Sequence, residues 1–162
     1  MTYRFIKDSL KTDLPASFPV YLTAFSAGYA GVRAILKNHY GRIAGIGLAD
    51  GLYADFDADS LKKQMPDFKK MAKQAAASEK KFILTHSSLT VKEYMTAAAA
   101  ADLILEELGV KREKKGYDDG TGFLETSAEK GKLLIKGYSY KTPADHWSHL
   151  SHIGRIFRFL KQ

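Results

Sequence analysis

A chain of 162 residues with 45% hydrophobic and 27% charged content reads as one domain, over residues 1–162, able to bury a core. It holds no cysteine, which excludes disulfides, thiolate metal sites and a thiol nucleophile, and no run approaches the roughly 18 apolar residues that span a bilayer. The net charge of +7 is spread over runs such as Lys62-Lys63 and Lys69-Lys70 with no base-reading motif beside them, so it reads as a solvated basic face rather than a nucleic-acid surface.

In chain order, Thr2–Lys11 is predicted as a short amphipathic helix with Phe5, Ile6 and Leu10 on one side. This N-terminus lacks the long apolar stretch of a secretory signal, so a cytoplasmic location is expected. Val20–Phe25, β-branched and aromatic, reads as a buried strand that breaks at Ser26-Ala27-Gly28 into a helix with Val32, Ile35 and Leu36 inward. That helix stops over Asn38 to Gly41, and Arg42–Ala49 is the second strand, where Gly45 and Gly47 leave room for a close neighbour. A carboxylate-rich loop follows, with Asp50, Asp55 and Asp57. Ser60–Ser78 is a helix, kinked or split at Pro66. Lys81–Thr85 is the third strand, closed by His86-Ser87-Ser88. Thr90 and Glu93 form the signature of a capping box for an alanine-rich helix over Val91–Leu108 that ends at Gly109. Lys111–Gly131 reads as a surface excursion with a small hairpin around Phe123-Leu124, Lys132–Tyr138 as the fourth strand, and His146–Lys161 as the final helix.

The fold class is therefore α/β, a short parallel sheet of about four strands with flanking helices. In such a sheet ligands gather at the C-terminal strand ends, and the polar candidates fall there: Ser26 after the first strand, Asp50 after the second, His86 after the third, His146 and His149 after the fourth. Ser26 stands at a strand-to-helix turn with small residues two before it (Ala24) and two after it (Gly28), the pattern of a nucleophile elbow. The helix start behind it offers backbone N–H groups to a developing oxyanion. The plainer alternative is an ordinary βα unit in which the serine is an N-cap. Asp50 likewise has a plain reading as a turn residue beside Gly51. His86 either shapes the pocket or simply ends a strand. A metal site on His146, His149 and His152 with Asp145 is set aside, because zinc-binding helices use pairs four residues apart.

With AFSAG, LADGLY and ADHWSHL in this order, the chain resembles the C-terminal half of an α/β-hydrolase, from the helix before the nucleophile strand onward. The resemblance implies Ser26 as nucleophile, Asp50 as acid with Asp55 and Asp57 behind it, and His146 as base ahead of His149, with the Ala27 N–H as an oxyanion donor. It implies cleavage of a small-molecule ester or amide through an acyl-enzyme, without cofactor or metal. The alternatives are a non-catalytic binding or assembly module on the same half-fold and, third, a flavodoxin-like ligand-binding domain, disfavoured because no phosphate loop is present. Two departures stand out. The family's acid most often follows the strand before the last, where this chain has His86-Ser87-Ser88. Its first strands should also precede the nucleophile strand, whereas 19 residues precede Val20. The expectation is a fragment, a minimal form or one half of a two-chain assembly, with a homodimer or a partner chain completing the sheet at the open edge of Val20–Phe25.

Overall fold

A computed structural model describes residues 18–139 and 142–162; the helix predicted over Thr2–Lys11 lies outside them. Strand β1 (Val20–Phe25) passes through a 3-10 turn at Ser26–Gly28 into helix α1 (Tyr29–His39), and β2 spans Ile43–Ala49. Two helices, α2 (Ala58–Gln64) and α3 (Pro66–Ala76), occupy the segment that Pro66 was expected to kink or split. Pro66 sits in the first turn of α3, where its missing N–H has no intrahelical partner to lose. Next come β3 (Lys81–Ser87), α4 (Ala97–Leu108), β4 (Glu113–Asp118), β5 (Phe123–Lys130), β6 (Leu133–Tyr138), α5 (Pro143–Ser151) and α6 (Ile153–Lys161).

The α/β class holds, but the sheet has six strands in the order β1-β2-β3-β6-β5-β4, not about four. β1, β2, β3 and β6 run parallel, while β5 is antiparallel to both β6 and β4. The two extra strands come from the stretch read as a surface excursion. β4 is exposed on nearly every residue, so it carries no alternation of apolar and polar positions to announce a strand.

Right-handed crossovers put α1, α3 and α4 on one face of the sheet. There Leu36, Phe68, Met71, Ile104 and Leu105 close over Ile46, Leu48, Phe82 and Leu84. On the other face α6 lies across β1, β2 and β3 and buries Ile156 and Leu160 against Ala49 and Ile83. Removing each of these two side chains from water contributes about 1.5–3 kcal/mol. The helix can come that close because a Cβ at Gly47 would overlap Ile156 and crowd Leu160, while Gly45 gives the same freedom to the backbone at Lys81. The face beneath the first strands is thus covered by α6.

Three further boundaries differ from the sequence reading. The alanine-rich helix begins at Ala97 with Thr96 as N-cap, its hydroxyl accepting from the Ala99 N–H at 3.2 Å, rather than at Val91 behind Thr90. The chain before it is held by an antiparallel bridge between Met95 and Ala54. The final helix is two helices, entered at Pro143 through a capping box in which the Thr142 and Asp145 side chains receive each other's backbone N–H. β3 runs two residues past Thr85, so His86 lies within the strand. Among the described residues no helix is long and apolar enough to cross a membrane.

Candidate functional site

Ser26 leaves β1 with φ of 51°, in the left-handed region that costs a residue bearing a Cβ roughly 1–2 kcal/mol. The small flanks explain how the chain makes this turn. Ala24 is buried, and a Cβ on Gly28 would lie 3.3 Å from the Ala24 Cβ, so the strand and the start of the helix meet through these two positions. Asp50 leaves β2 in the same way, with φ of 41°, and Gly51 behind it packs on the Ser26 backbone so closely that a Cβ would overlap the Ser26 carbonyl oxygen. The two turns are in direct backbone contact.

Asp50 is 2% exposed, and its polar atoms are engaged in every direction. Its N–H donates to the Thr85 carbonyl at 2.8 Å and its carbonyl accepts from the Tyr53 hydroxyl at 2.6 Å. In the carboxylate, Oδ1 accepts from the Ser87 N–H at 2.9 Å and Oδ2 meets Nδ1 of His146 at 2.8 Å. A carboxylate accepts, so Nδ1 carries the hydrogen, and the neutral imidazole keeps its lone pair on Nε2. The His146 ring also stacks on Phe25, the residue before Ser26, with centroids 4.5 Å apart. Ser26, Asp50 and His146 line one cavity of about 310 Å³ together with Tyr53, Tyr94 and Trp147. Burial and then the Asp50 charge lower the acidity of the Tyr53 phenol, against the opposing effect of the Ser26 side chain beside it.

The other candidates lie apart or in support. His149, 2% exposed, puts Nε2 at 3.9 Å from Asp50 Oδ2 and Nδ1 at 2.9 Å from the Thr85 hydroxyl. Burial holds its pKa down, with Asp50 pulling the other way. His86 is turned toward Arg112, whose Nη1 donates to its Nε2 at 2.9 Å, while its Nδ1 donates to the Ser87 carbonyl at 3.1 Å. Burial and then the Arg112 charge push it down to about 4, and it does not line the cavity. Asp55 is tied to Gln64, with Gln64 Nε2 donating to its Oδ2 at 2.7 Å. Asp57 caps α2 by accepting the Ser60 N–H at 2.8 Å, and its hydrogen bonds to Ser60 hold its carboxyl below the usual range. Neither acid reaches the cavity. Ala27 follows Ser26 at the surface.

Sequence reasoning missed Tyr53, although it stands three residues after Asp50 in LADGLY, near enough to bond the turn that carries the acid. Trp147, 60% exposed, also sits at the cavity against Phe25, with ring centroids 5.4 Å apart.

A second cavity, about 290 Å³, opens on the α6 face beside Lys136, Arg155 and Arg158. Asp119 gathers cations at that side: burial raises its pKa, but the Lys136 ammonium at 2.7 Å, the Thr121 N–H and the Tyr138 hydroxyl outweigh it and bring it down to about 2. No protein-family model, no curated protein and no solved structure matches the chain. The chemistry of the site therefore carries the functional reading by itself.

Proposed function

We propose that the chain is a serine hydrolase-like protein of α/β-hydrolase type that cleaves an ester or amide through an acyl-enzyme on Ser26. The observation that carries the reading is the 2.8 Å bond from His146 Nδ1 to the buried Asp50 carboxylate, made on the wall of a cavity that Ser26 also lines from a left-handed turn. The parallel order β1-β2-β3-β6, with the serine after the first strand, the acid after the second and the histidine after the last, supports the family resemblance.

In this reading Ser26 Oγ attacks the acyl carbonyl as His146 Nε2 takes its proton, and Asp50 stabilises the resulting imidazolium. The Ala27 N–H is assigned to the oxyanion. Collapse of the tetrahedral adduct breaks the bond to the leaving group, which takes the proton from His146 and leaves Ser26 acylated. Water, deprotonated by the same imidazole, then attacks the acyl-serine, releases the acid and restores the hydroxyl. A fluorophosphonate probe followed by intact-mass analysis tests this directly. One adduct on wild type and none on Ser26→Ala is the expected result.

The second reading is a non-catalytic binding or assembly module. It draws on Tyr53, whose phenol shares the cavity wall with Ser26 and offers the serine a neighbour outside the acid–histidine pair. No adduct under conditions that fully label a known serine hydrolase decides for it. Either reading leaves room for a homodimer or a partner chain at β1, which pairs only with β2 among the described residues. Light scattering at micromolar concentration tests this, and a monodisperse monomer argues against it.

A further inference from the structure

On the serine-hydrolase reading of Ser26, we infer that the acyl group this cavity accepts is uncharged, apolar and compact: a short aliphatic or single-ring aromatic acyl. Beyond Ser26, Asp50, His146 and Ser87, the walls are the aliphatic Leu89, Val91 and Ala97, the aromatic Tyr53, Tyr94 and Trp147, and Thr96. The aromatic side is organised edge to face, Tyr53 standing 5.6 Å from Tyr29 and 5.2 Å from Tyr94 between ring centroids. That geometry presents ring faces and edges to an apolar guest.

Charge sets the second limit. Among the described residues no lysine or arginine lines this cavity, although the chain carries a net charge of +7. Cations line other cavities instead: Lys136, Arg155 and Arg158 on the α6 face, and Lys62, Lys69, Lys70 and Lys73 on α2 and α3. An anionic acyl entering at Ser26 would meet no counter-charge and would face the Asp50 carboxylate. A cationic acyl would find that carboxylate already accepting from Ser87 and His146. A charge taken out of water without a partner is disfavoured for either sign.

Size sets the third. At about 310 Å³ the cavity lies at the small end of the roughly 300–1,000 Å³ range of small-molecule sites, so a butyryl or benzoyl group is enclosed more completely than a dodecanoyl chain.

The test uses the wild-type chain and p-nitrophenyl esters: acetate, butyrate, benzoate, dodecanoate and the singly charged hemisuccinate, close to butyrate in length. The expected result is the highest kcat/KM for butyrate or benzoate, with hemisuccinate lower by about 100-fold or more and dodecanoate by about tenfold or more. Val91→Lys, at a partly exposed position, places a cation on the wall and should shift the hemisuccinate-to-butyrate ratio upward by about tenfold or more. Leu89→Lys repeats the manipulation from a second position should the first variant not fold. Hemisuccinate cleaved as well as butyrate, dodecanoate preferred, or a ratio unmoved by both lysines overturns the inference. Fluorophosphonate labelling is run in parallel: labelling with the wrong preference sinks only the acyl assignment, and failure to label sinks it together with the hydrolase reading.

Discussion

Asp50→Asn separates orientation from packing, because the replacement is nearly the same shape in a site that is 2% exposed. The amide oxygen can keep the Ser87 N–H bond at 2.9 Å. The amide nitrogen then stands where Oδ2 was, 2.8 Å from His146 Nδ1, and presents hydrogens to a nitrogen that itself carries one. The imidazole relieves the clash by moving its proton to Nε2, which can no longer accept from Ser26. Where a triad acid is changed in this way the loss is about 10⁴ in kcat, or about 5.5 kcal/mol at roughly 1.36 kcal/mol per decade. Stability should move far less, by about 1 kcal/mol, since both bonds of the side chain are replaced. The assay is butyrate ester hydrolysis alongside thermal melts, with Asp55→Asn and Asp57→Asn expected within about twofold of wild type in rate. Activity of Asp50→Asn within tenfold of wild type, on a natively melting protein, refutes the assignment of Asp50 as the orienting acid; a large loss in Asp55→Asn or Asp57→Asn would relocate it.

The left-handed Ser26 should make Ser26→Gly more stable than Ser26→Ala by about 1 kcal/mol, read as the difference in urea midpoints; equal stabilities would mean the turn relaxes in solution. Gly51→Ala forces the Ser26 backbone away and should cost about 1–3 kcal/mol and at least about tenfold in acylation rate, with unchanged labelling kinetics counting against a coupling of the two turns. His86, pushed from 6.5 to about 4, and His149, lowered in the same direction, are neutral when folded and protonate more readily unfolded, so stability is full above about pH 6.5 and falls as pH drops toward 4. At about 1.4 kcal/mol per pH unit, His86 alone contributes up to about 3 kcal/mol across that window, and denaturant midpoints that hold steady from pH 7 to pH 5 would contradict it.

The parts of the fold that were legible are those whose signal is local and apolar. Val20–Phe25 and the helix after it announce a change of period at Ser26, and the spacing of Ala24 and Gly28 carries the shape of the turn. Asp50 and His146 were legible from their places after parallel strands. What stayed hidden depends on contacts distant in sequence. Thr90 and Glu93 look like a capping box, yet Met95 exchanges backbone hydrogen bonds with Ala54, and the helix waits for Thr96. β4 is paired through its backbone to β5 while its side chains face water, so nothing in its composition records the pairing. Tyr53 was hidden for another reason: its role depends on the turn at Asp50, whose conformation no residue pattern specifies.

Sheet register explains why Asp50 sits one strand from Ser26 and still reaches His146. Phe25 lies opposite Ala49, and Ala49 opposite Thr85, so Ser26, Asp50 and His86 are the next residues on three adjacent strands. β1 and β2 turn away there, at two left-handed residues, while β3 continues to Ser87 beside β6. Continuing leaves β3 without a backbone neighbour on the β2 side, and the Asp50 side chain supplies the missing acceptor: Oδ1 takes the Ser87 N–H. One carboxylate oxygen thus extends the sheet by a rung. That bond fixes the plane of the group and aims Oδ2 at His146, which α5 delivers from the end of β6 on the first turn after its cap. An acid placed after β3 itself would have to give up that rung. The position after β2 can do both, and it needs Gly51 beside it so that the serine turn can approach.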